Sequence, residues 1–304
     1  MKEIGKIWMN GKLIPFKDAR IHVLTHALHY STSIFEGIRC YDTPHGSAIF
    51  RLPEHVNRFF NSAKLYGMKM SYSKKQIIDA IIKTVKQSGL KQCYIRPLAY
   101  YGYGTMGLTP LKNNVDVSIS CWEWKMGESK VGKFSGAKCK ISKWIRIDSR
   151  SQPMQAKSAA NYSNAALARV EALKNGFDEA IMLNNKNHVA EGSAENIFIV
   201  KNGRITTPPL DADILNGITR DSIIKMIKAG GKKVIEKNIT IKNLLSADEI
   251  FMTGTAAEVK SVTQVNCTKI GNGKIGPTTK ELQDSFMHIV MGKNKKFISW
   301  LKFL

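Results

Sequence analysis

The order of apolar and polar residues along the first part of the chain predicts strands on either side of a helical region. Two short apolar runs, residues 7–9 and 12–14, flank Asn10-Gly11, and Asn-Gly is the strongest short signal for a two-residue turn, so they predict a β-hairpin. Residues 93–101 are mostly apolar and aromatic, and they predict a longer strand.

Two amphipathic helices are predicted between these strands. Pro53 and Glu54 are typical of a helix start, and Gly89 is typical of a helix end. The apolar residues in between recur three or four positions apart, as they do on one helix face. They are Val56, Phe59, Phe60, Ala63 and Tyr66 in the first helix, and Ile77, Ile78, Ile81, Ile82 and Val85 in the second.

The second half of the chain continues in the same mixed pattern. Residues 180–183 and 197–200 predict two strands with a polar turn at 184–187. Residues 220–229 predict a helix, which Gly230-Gly231 ends.

One polar segment divides the chain. Residues 126–137 are rich in Gly, Ser and Lys and contain few apolar residues, which is typical of a connection between domains. The segment separates a small N-terminal α/β domain, residues 1–125, from a larger C-terminal domain, residues 138–304. The expected fold class is therefore mixed α/β (α+β), with two domains.

Composition and charge exclude several classes of protein. The chain has 304 residues, of which 43% are hydrophobic and 23% charged, so it is expected to be globular. No apolar run approaches the roughly 18 residues of a membrane span, and the charged start is unlike a secretory signal. The net charge of +22 comes mainly from scattered lysines rather than arginine stripes, so nucleic-acid binding is not expected. Five cysteines without a C-x-x-C pair fit a reducing cytoplasm.

Two motifs resemble known binding sites but do not predict them. Residues 102–107 match G-x-G-x-x-G, but the residues that follow do not open a helix, so the motif predicts a glycine-rich loop rather than a dinucleotide site. His22, His26 and His29 share a helical spacing, yet the carboxylate that a zinc site would need is missing nearby. We therefore expect no metal site.

The most informative residue is Lys157, which lies between small residues and precedes a helical pattern formed by Tyr162, Ala166, Val170 and Leu173. Small neighbours allow a flat ligand to approach the lysine closely. Desolvation there would lower the pKa of the amine and make it a nucleophile.

Three further segments complete a pattern that points to a cofactor. Glu191 supplies a carboxylate in a break between two β runs, while residues 216–220 and 253–257 are small-residue turns whose backbone N–H groups can bind phosphate. Pyridoxal 5'-phosphate requires a lysine for its aldehyde, a carboxylate for its ring nitrogen and donors for its phosphate.

The chain also resembles the class IV (fold type IV) aminotransferases, and it closely resembles the bacterial branched-chain amino acid aminotransferases. The resemblance extends over nearly the whole chain. It rests on ordered blocks at compatible spacings, namely residues 26–30, 35–39, 94–97, 157–162, 191–196, 217–220 and 254–258.

This resemblance implies roles for individual residues. Lys157 would carry the internal aldimine and move the proton between Cα and C4′, and Glu191 would pair with the pyridinium nitrogen. The other residues expected to bind the cofactor are Arg58, Tyr162, Ile218, Thr219 and Thr255. The residues expected to bind the substrate are Tyr30, Phe35, Gly37, Tyr94, Arg96, Trp124, Ala256 and Ala257. Gly107 and Leu108 match a loop that the family lends to the neighbouring subunit.

The resemblance further implies a reaction and an assembly. Amino groups would pass reversibly between L-Leu, L-Ile or L-Val and 2-oxoglutarate by a ping-pong mechanism, with 2-oxo acids and glutamate as the other partners. A homodimer or homohexamer is expected. The sequence departs from the family pattern at Ser31 and Ala160, where Gly is usual, and at Gly127, where many relatives have Tyr.

Three alternatives stay open at this point. A D-amino-acid aminotransferase would present the opposite face of Cα, and an aminodeoxychorismate lyase would release pyruvate without 2-oxoglutarate. The pair Tyr94 and Arg96 and the block at residues 35–39 favour the branched-chain type over the lyase. A basic nucleic-acid or anion-binding protein that has lost catalysis is the alternative of a different class.

Overall fold

The computed structural model describes residues 5–124 and 136–304. Its α-helices are α1 (His26–Tyr30), α2 (Leu52–Leu65), α3 (Lys74–Ser88), α4 (Ala159–Lys174), α5 (Ile218–Ala229), α6 (Ile241–Leu245) and α7 (Pro277–Val290). Its first strands are β1 (Lys6–Met9), β2 (Lys12–Pro15), β3 (Ser33–Phe35), β4 (Ile38–Thr43), β5 (Gly46–Phe50), β6 (Cys93–Tyr101), β7 (Val115–Glu123) and β8 (Ala137–Ile141). The others are β9 (Glu179–Leu183), β10 (Val189–Gly192), β11 (Asn196–Lys201), β12 (Arg204–Thr207), β13 (Val234–Glu236), β14 (Glu249–Gly254), β15 (Glu258–Val265), β16 (Thr268–Lys269) and β17 (Leu301–Phe303).

These elements form two compact units, which are described separately. The described part of the N-terminal unit comprises residues 5–124, 156–160 and 289–304, and that of the C-terminal unit comprises residues 136–155 and 161–288. The predicted mixed α/β class is confirmed. The predicted domain boundaries stay a prediction, and most of the connecting segment at 126–137 lies outside the described residues. Lys157, which the sequence assigned to the C-terminal domain, belongs to the N-terminal unit because its backbone is bonded to Phe35 of β3.

The N-terminal unit is built on an eight-stranded sheet. Its strand order is β17-β5-β4-β6-β7-β1-β2, and β3 pairs with β6. The predicted hairpin is confirmed: Met9 pairs with Lys12, and Asn10 and Gly11 have φ angles of 47° and 91°. The sheet and its helices share a buried core, which includes Ile34, Ile38, Ile49, Val56, Phe59, Ile77, Ile81 and Ile95.

Both predicted helices of this unit are present, because local signals fix their ends. At the start of α3 the Ser73 hydroxyl accepts the N–H of Gln76, whose side chain accepts the N–H of Ser73, so two exposed amides are satisfied. Gly89 ends α3 with a φ of 68°, a conformation that favours glycine. The buried face of α2 contains two polar residues that the apolar pattern did not indicate, His55 and Ser62.

The C-terminal unit is built on a nine-stranded sheet. Its strand order is β10-β9-β8-β15-β14-β11-β12-β13, and β16 pairs with β15. The polar turn at residues 184–187 joins β9 to β10 rather than to the strand at 197–200, so the sequence pattern missed β10. Helix α5 begins at Ile218, two residues before the predicted start.

The predicted helix α4 is present, and its buried residues differ from those that form the helical pattern in the sequence. Its buried residues are Asn161, Ala165, Ala168 and Ala172, whereas Val170 and Leu173 are about half exposed, at 48% and 53%. The small alanine side chains allow the helix to approach Ala180 and Met182 of β9, with which they form a core cluster.

None of the helices in the described ranges combines the length and the apolar composition that a membrane span requires.

Candidate active site

The backbone of Lys157 is fixed at several points within the N-terminal unit. Its N–H donates to the Ser62 hydroxyl over 2.9 Å, and its carbonyl oxygen accepts the N–H of Phe35 over 2.9 Å. The hydroxyl groups of Ser158 and Tyr66 lie 2.7 Å apart. Because Ser62 and Tyr66 belong to α2 and its C-cap, a helix and a strand together hold the lysine in place.

The amine of Lys157 lies close to an aromatic ring and to charged groups. Its Nζ is 4.9 Å from the centroid of the Phe35 ring. Burial and then the charge of Arg58 lower the pKa of Lys157 to about 8, although the Glu36 carboxylate opposes them. A lysine with this pKa is partly neutral near physiological pH, and the neutral amine is the nucleophile. The surroundings therefore activate the lysine that the sequence predicts to react.

We expect the reaction of Lys157 with an aromatic aldehyde to follow this pKa of about 8. The initial rate, measured by absorbance from pH 6 to 10, should rise about tenfold per pH unit below pH 8 and level off above it. A rate that keeps rising towards pH 10.5, the ordinary pKa of lysine, would contradict the expectation. The free energy of unfolding should also rise between pH 8 and 10.5, because the unfolded chain keeps this proton longer than the folded one.

Arg58, which the resemblance assigns to a phosphate, is paired with a buried carboxylate. Its Nε donates to Oε1 of Glu36 over 2.7 Å and its Nη2 to Oε2 over 2.9 Å, and Nδ1 of His55 lies 2.7 Å from the same Oε2. Sequence reasoning missed Glu36 and His55 as site residues. The available signal was a carboxylate between the apolar residues Phe35 and Ile38.

Aromatic side chains surround the guanidinium of Arg96. Its Cζ lies 4.7 Å from the ring centroid of Phe35, 5.5 Å from that of Tyr94 and 5.6 Å from that of Trp122. Tyr94 stacks on Trp122 at 5.0 Å and packs on Trp124 at 5.5 Å. Tyr94 of β6 lies directly opposite Trp122 of β7, and Arg96 is two residues further along the same face. Aromatic rings that contact its faces leave the edge of a guanidinium available to bind an anion.

Gly37 leaves the space that the Tyr94 hydroxyl occupies. A Cβ at position 37 would lie 1.9 Å from this hydroxyl oxygen and 2.7 Å from the ring carbon that bears it, so a side chain there would force Tyr94 to move. We therefore interpret Gly37 as a residue that permits the observed position of Tyr94.

Gly37→Ala should lower the free energy of unfolding by about 1–3 kcal/mol, as overpacking does, and displace Tyr94. Urea denaturation and the fluorescence of the neighbouring tryptophans would measure both effects. Gly230→Ala is the control, because the nearest atom to its Cβ would be a carbonyl oxygen at an ordinary 3.5 Å. Equal losses in the two variants would show that the contact with Tyr94 does not matter.

Tyr30 contacts the glycine-rich loop of the N-terminal unit. Its hydroxyl donates to the Met106 carbonyl over 3.0 Å, and His26 Nε2 lies 2.9 Å from the Gly107 carbonyl oxygen. Leu108 of this loop is 77% exposed. The structure thus places Tyr30 against the loop that contains Met106 and Gly107, whereas the resemblance assigns Tyr30 to the apolar pocket.

Glu191 of the C-terminal unit lies within β10 rather than in a break between strands. It is opposite Met182 of β9. Its Oε1 accepts from Arg146 Nη2 over 2.6 Å, while its Oε2 accepts from Asn196 Nδ2 over 2.9 Å and from the N–H of Leu215 over 3.2 Å. Both Glu191 and Arg146 are buried. A carboxylate held in this way can pair with a cationic ring nitrogen.

Ile218 and Thr219 form the first turn of α5. The N-cap residue, Gly217, has no side chain to accept their N–H groups, which is the arrangement that binds anions at a helix start. A Cβ on Gly217 would lie 1.9 Å from Oδ1 of Asn196. Asn196 therefore connects the Glu191 carboxylate to the start of this helix.

Thr255, Ala256 and Ala257 form the turn that joins β14 to β15. Ala257 is buried, Thr255 and Ala256 are half-buried, and the side chains of both alanines are small. Tyr162 lies on the first turn of α4 and is half-buried.

The departures from the family pattern occupy different places. Ser31 is the C-cap of α1 with a φ of 54°, a left-handed conformation that favours glycine, so the usual Gly at this position has a physical reason. Ala160 lies in the first turn of α4. Gly127 lies outside the described residues.

The structure brings some of the predicted residues together within each unit. In the N-terminal unit, Phe35 contacts both Lys157 and Arg96, and Tyr94 contacts Arg96 and Trp124. In the C-terminal unit, Glu191 is bonded to Leu215, close to the start of α5. The individual roles of these residues stay predictions.

Comparison with known proteins identifies a matching family and similar enzymes. A family model described as "Amino-transferase class IV" matches residues 33–265. The branched-chain-amino-acid aminotransferase of Pseudomonas aeruginosa is 44% identical over 298 residues, which cover 97% of this chain and 96% of that protein. The enzyme of the same name from Escherichia coli K12 is 38% identical and covers 99% of this chain and 97% of its own length.

A solved structure is also closely similar. The branched-chain amino acid aminotransferase of Thermobaculum terrenum in its PLP-form (holo-form) superposes with a TM-score of 0.92 at 31% identity. The match covers 99% of this chain and 99% of that one.

Proposed function

Because the chain belongs to the class IV aminotransferase family, we propose that it is a branched-chain amino acid aminotransferase that uses pyridoxal 5'-phosphate. It would exchange the amino group of L-Leu, L-Ile or L-Val with 2-oxoglutarate. The observation that supports this most strongly in the structure is the half-buried Lys157, whose pKa of about 8 suits a nucleophile.

The residues present fit this cofactor. Lys157 offers an activated amine for its aldehyde, and Glu191 offers a buried carboxylate for its ring nitrogen. Arg58 and the start of α5 offer donors for its phosphate. When bound, the cofactor supplies an electron-accepting ring that lets the amino-acid Cα lose a proton.

Each cofactor-binding residue has a proposed task. Lys157 would hold the cofactor through its aldehyde carbon and, once the substrate amine has displaced it, would move a proton from the substrate Cα to C4′ of the cofactor. Glu191 keeps the ring nitrogen protonated. Tyr162 donates to the ring hydroxyl. The residues that bind the phosphate are Arg58, Ile218, Thr219 and Thr255.

The substrate residues divide by chemistry. Arg96 is positively charged and, with Tyr94 and the backbone of Ala256 and Ala257, would bind a carboxylate of the substrate. The apolar side chain of the amino acid would contact the remaining residues, which are Tyr30, Phe35, Gly37 and Trp124. Aromatic and glycine surfaces suit a branched aliphatic group, because they are apolar and leave room for it.

The test is an assay of amino transfer with the purified protein. L-Leu, L-Ile and L-Val with 2-oxoglutarate should each yield glutamate, and adding L-Leu alone should change the visible absorbance of the cofactor. D-Ala in place of the L-amino acids tests the D-amino-acid alternative. A colourless preparation of the protein without cofactor is the negative control. Glutamate formation from D-Ala but not from L-Leu, or no bound cofactor, would contradict the proposal.

We propose a homodimer or homohexamer in the cytoplasm. Leu28, Leu108 and Leu111 are exposed apolar residues of the N-terminal unit that a second subunit would cover. The five free thiols suit a reducing compartment. Light scattering would measure the mass of the assembly.

A further inference from the structure

Glu36 is an ionised side chain with no exposed surface, and the apolar pattern does not explain its presence. It lies between β3 and β4 and is 0% exposed. Burial opposes ionisation of its carboxyl, but the charge of Arg58 and the neighbouring His55 outweigh burial and hold its pKa well below the usual range. Such a buried charge is costly unless its partners satisfy it fully.

The partners of Glu36 come from one face of α2. Arg58 donates through Nε and Nη2 to the two carboxylate oxygens, at 2.7 and 2.9 Å, which fixes the plane of the guanidinium. His55, one helical turn earlier, lies 2.7 Å from Oε2. Burial lowers the pKa of His55, so the imidazole is neutral and donates to the carboxylate rather than adding a charge. The N–H of Gly37 adds a longer contact of 3.3 Å to Oε2.

The balance of charge around this group is positive. Arg58, Arg96 and Glu36 all influence the pKa of Lys157, so the four groups belong to one electrostatic cluster. Three of them are cationic when protonated and only Glu36 is anionic. Apart from the paired Arg58 and Glu36, whose charges cancel, protonated Lys157 and Arg96 leave the cluster positive, which is complementary to the anionic groups of the proposed cofactor and substrate.

We propose that Glu36, supported by His55, is a positioning residue that orients Arg58 towards the phosphate of the cofactor. This inference rests on the proposed function, which supplies a phosphorylated cofactor at Lys157. Glu36 is itself negative and would repel a phosphate, so its contribution comes from the fixed geometry of the guanidinium. A guanidinium whose Nε and Nη2 are fixed on one carboxylate presents its other N–H bonds in a defined direction, and a phosphate is bound well only when that direction is correct.

The contribution of the phosphate to cofactor affinity is measured as a ratio, the dissociation constant of pyridoxal divided by that of pyridoxal 5'-phosphate. A larger ratio means that the protein gains more affinity from the phosphate. Both compounds are titrated by absorbance and fluorescence with cofactor-free protein. Arg58→Ala should lower this ratio about 10- to 100-fold, as loss of a charged hydrogen bond does. Glu36→Gln and Glu36→Asp should each lower this ratio about tenfold. The glutamine has one charged acceptor fewer, and the aspartate side chain is too short to accept both hydrogen bonds from Arg58.

The two Glu36 variants separate positioning from charge. If only the charge of Glu36 mattered, Glu36→Gln would raise the ratio, because a repulsive carboxylate is removed, and Glu36→Asp would leave it unchanged. Either result overturns the inference. In an Arg58→Ala background, Glu36→Gln should have no further effect on the ratio, and a second full loss there would show that Glu36 acts through another group.

The remaining outcomes are also decisive. If Glu36→Gln does not fold, as judged by thermal melting without cofactor, Glu36→Asp decides alone. Equal weakening of pyridoxal and pyridoxal 5'-phosphate would indicate a general structural role and overturn the inference. A wild-type protein that binds neither compound would refute the proposed function itself, whereas tight wild-type binding with undiminished ratios in both variants refutes only the role of Glu36.

Discussion

Lys157→Ala is expected to lower turnover at least about 10³-fold, because the variant lacks both the nucleophile and the group that moves the Cα proton. The fold should survive. The hydrogen bonds that Lys157 makes to Ser62 and Phe35 use only the backbone atoms of residue 157, and alanine keeps them. The variant also removes a desolvated amine, so its free energy of unfolding should not fall. Glutamate formation and thermal melting measure the two effects.

Lys260→Ala is the matched control for this variant. Burial also lowers the pKa of Lys260, which lies on β15 opposite Met252, but the proposed reaction does not use it. Its turnover should stay close to that of the wild type. Borohydride reduction followed by peptide mapping should locate the cofactor on residue 157 in the wild type and in Lys260→Ala. Cofactor trapped at a different lysine would refute the assignment.

Local signals explain why much of the fold could be predicted from the sequence. The Asn10-Gly11 turn and the Gly89 helix end depend on backbone angles that few other residues adopt easily, so the residues themselves indicate the structure. The spacing of isoleucines on α3 likewise reflects the buried face directly, since Ile77 and Ile81 are fully buried.

Features that depend on distant partners could not be predicted in this way. Strand β10 is four residues long and buried throughout, so it has no alternation of apolar and polar residues to reveal it. On α4, by contrast, a large apolar residue of the helical pattern, Val170, is exposed. Alanines rather than larger apolar residues are buried on this helix.

In the candidate site, too, local features could be predicted and distant contacts could not. Lys157 and Glu191 lie in motifs that can be recognised from neighbouring residues. The pairing of Glu36 with Arg58 joins residues 22 positions apart, and the stacking of Tyr94 on Trp122 joins two different strands. Only the register of the sheet and the packing of α2 bring these side chains together, so the sequence alone could not indicate their partners.

Glu191→Gln is expected to lower turnover about 10²- to 10³-fold, the size of effect that loss of a preorganised electrostatic group has. A neutral amide cannot hold a proton on the ring nitrogen as a carboxylate does. The change also affects stability, because the neighbours of this side chain include three donors, Arg146, Asn196 and the N–H of Leu215. The amide NH₂ must face one of them, and Arg146 loses its buried counter-charge, at a cost of about 3–5 kcal/mol.

A second buried carboxylate separates the loss of stability from the loss of function. Glu249 accepts hydrogen bonds from the N–H groups of Thr278 and Thr279 and from the Thr279 hydroxyl, so Glu249→Gln places an amide among donors in the same unit. Both variants should unfold at lower denaturant concentrations than the wild type. Only Glu191→Gln should lose turnover under conditions where both are fully folded and loaded with cofactor. If the two variants lost turnover equally, the effect at Glu191 would be one of stability, and its carboxylate would have no special part in the reaction.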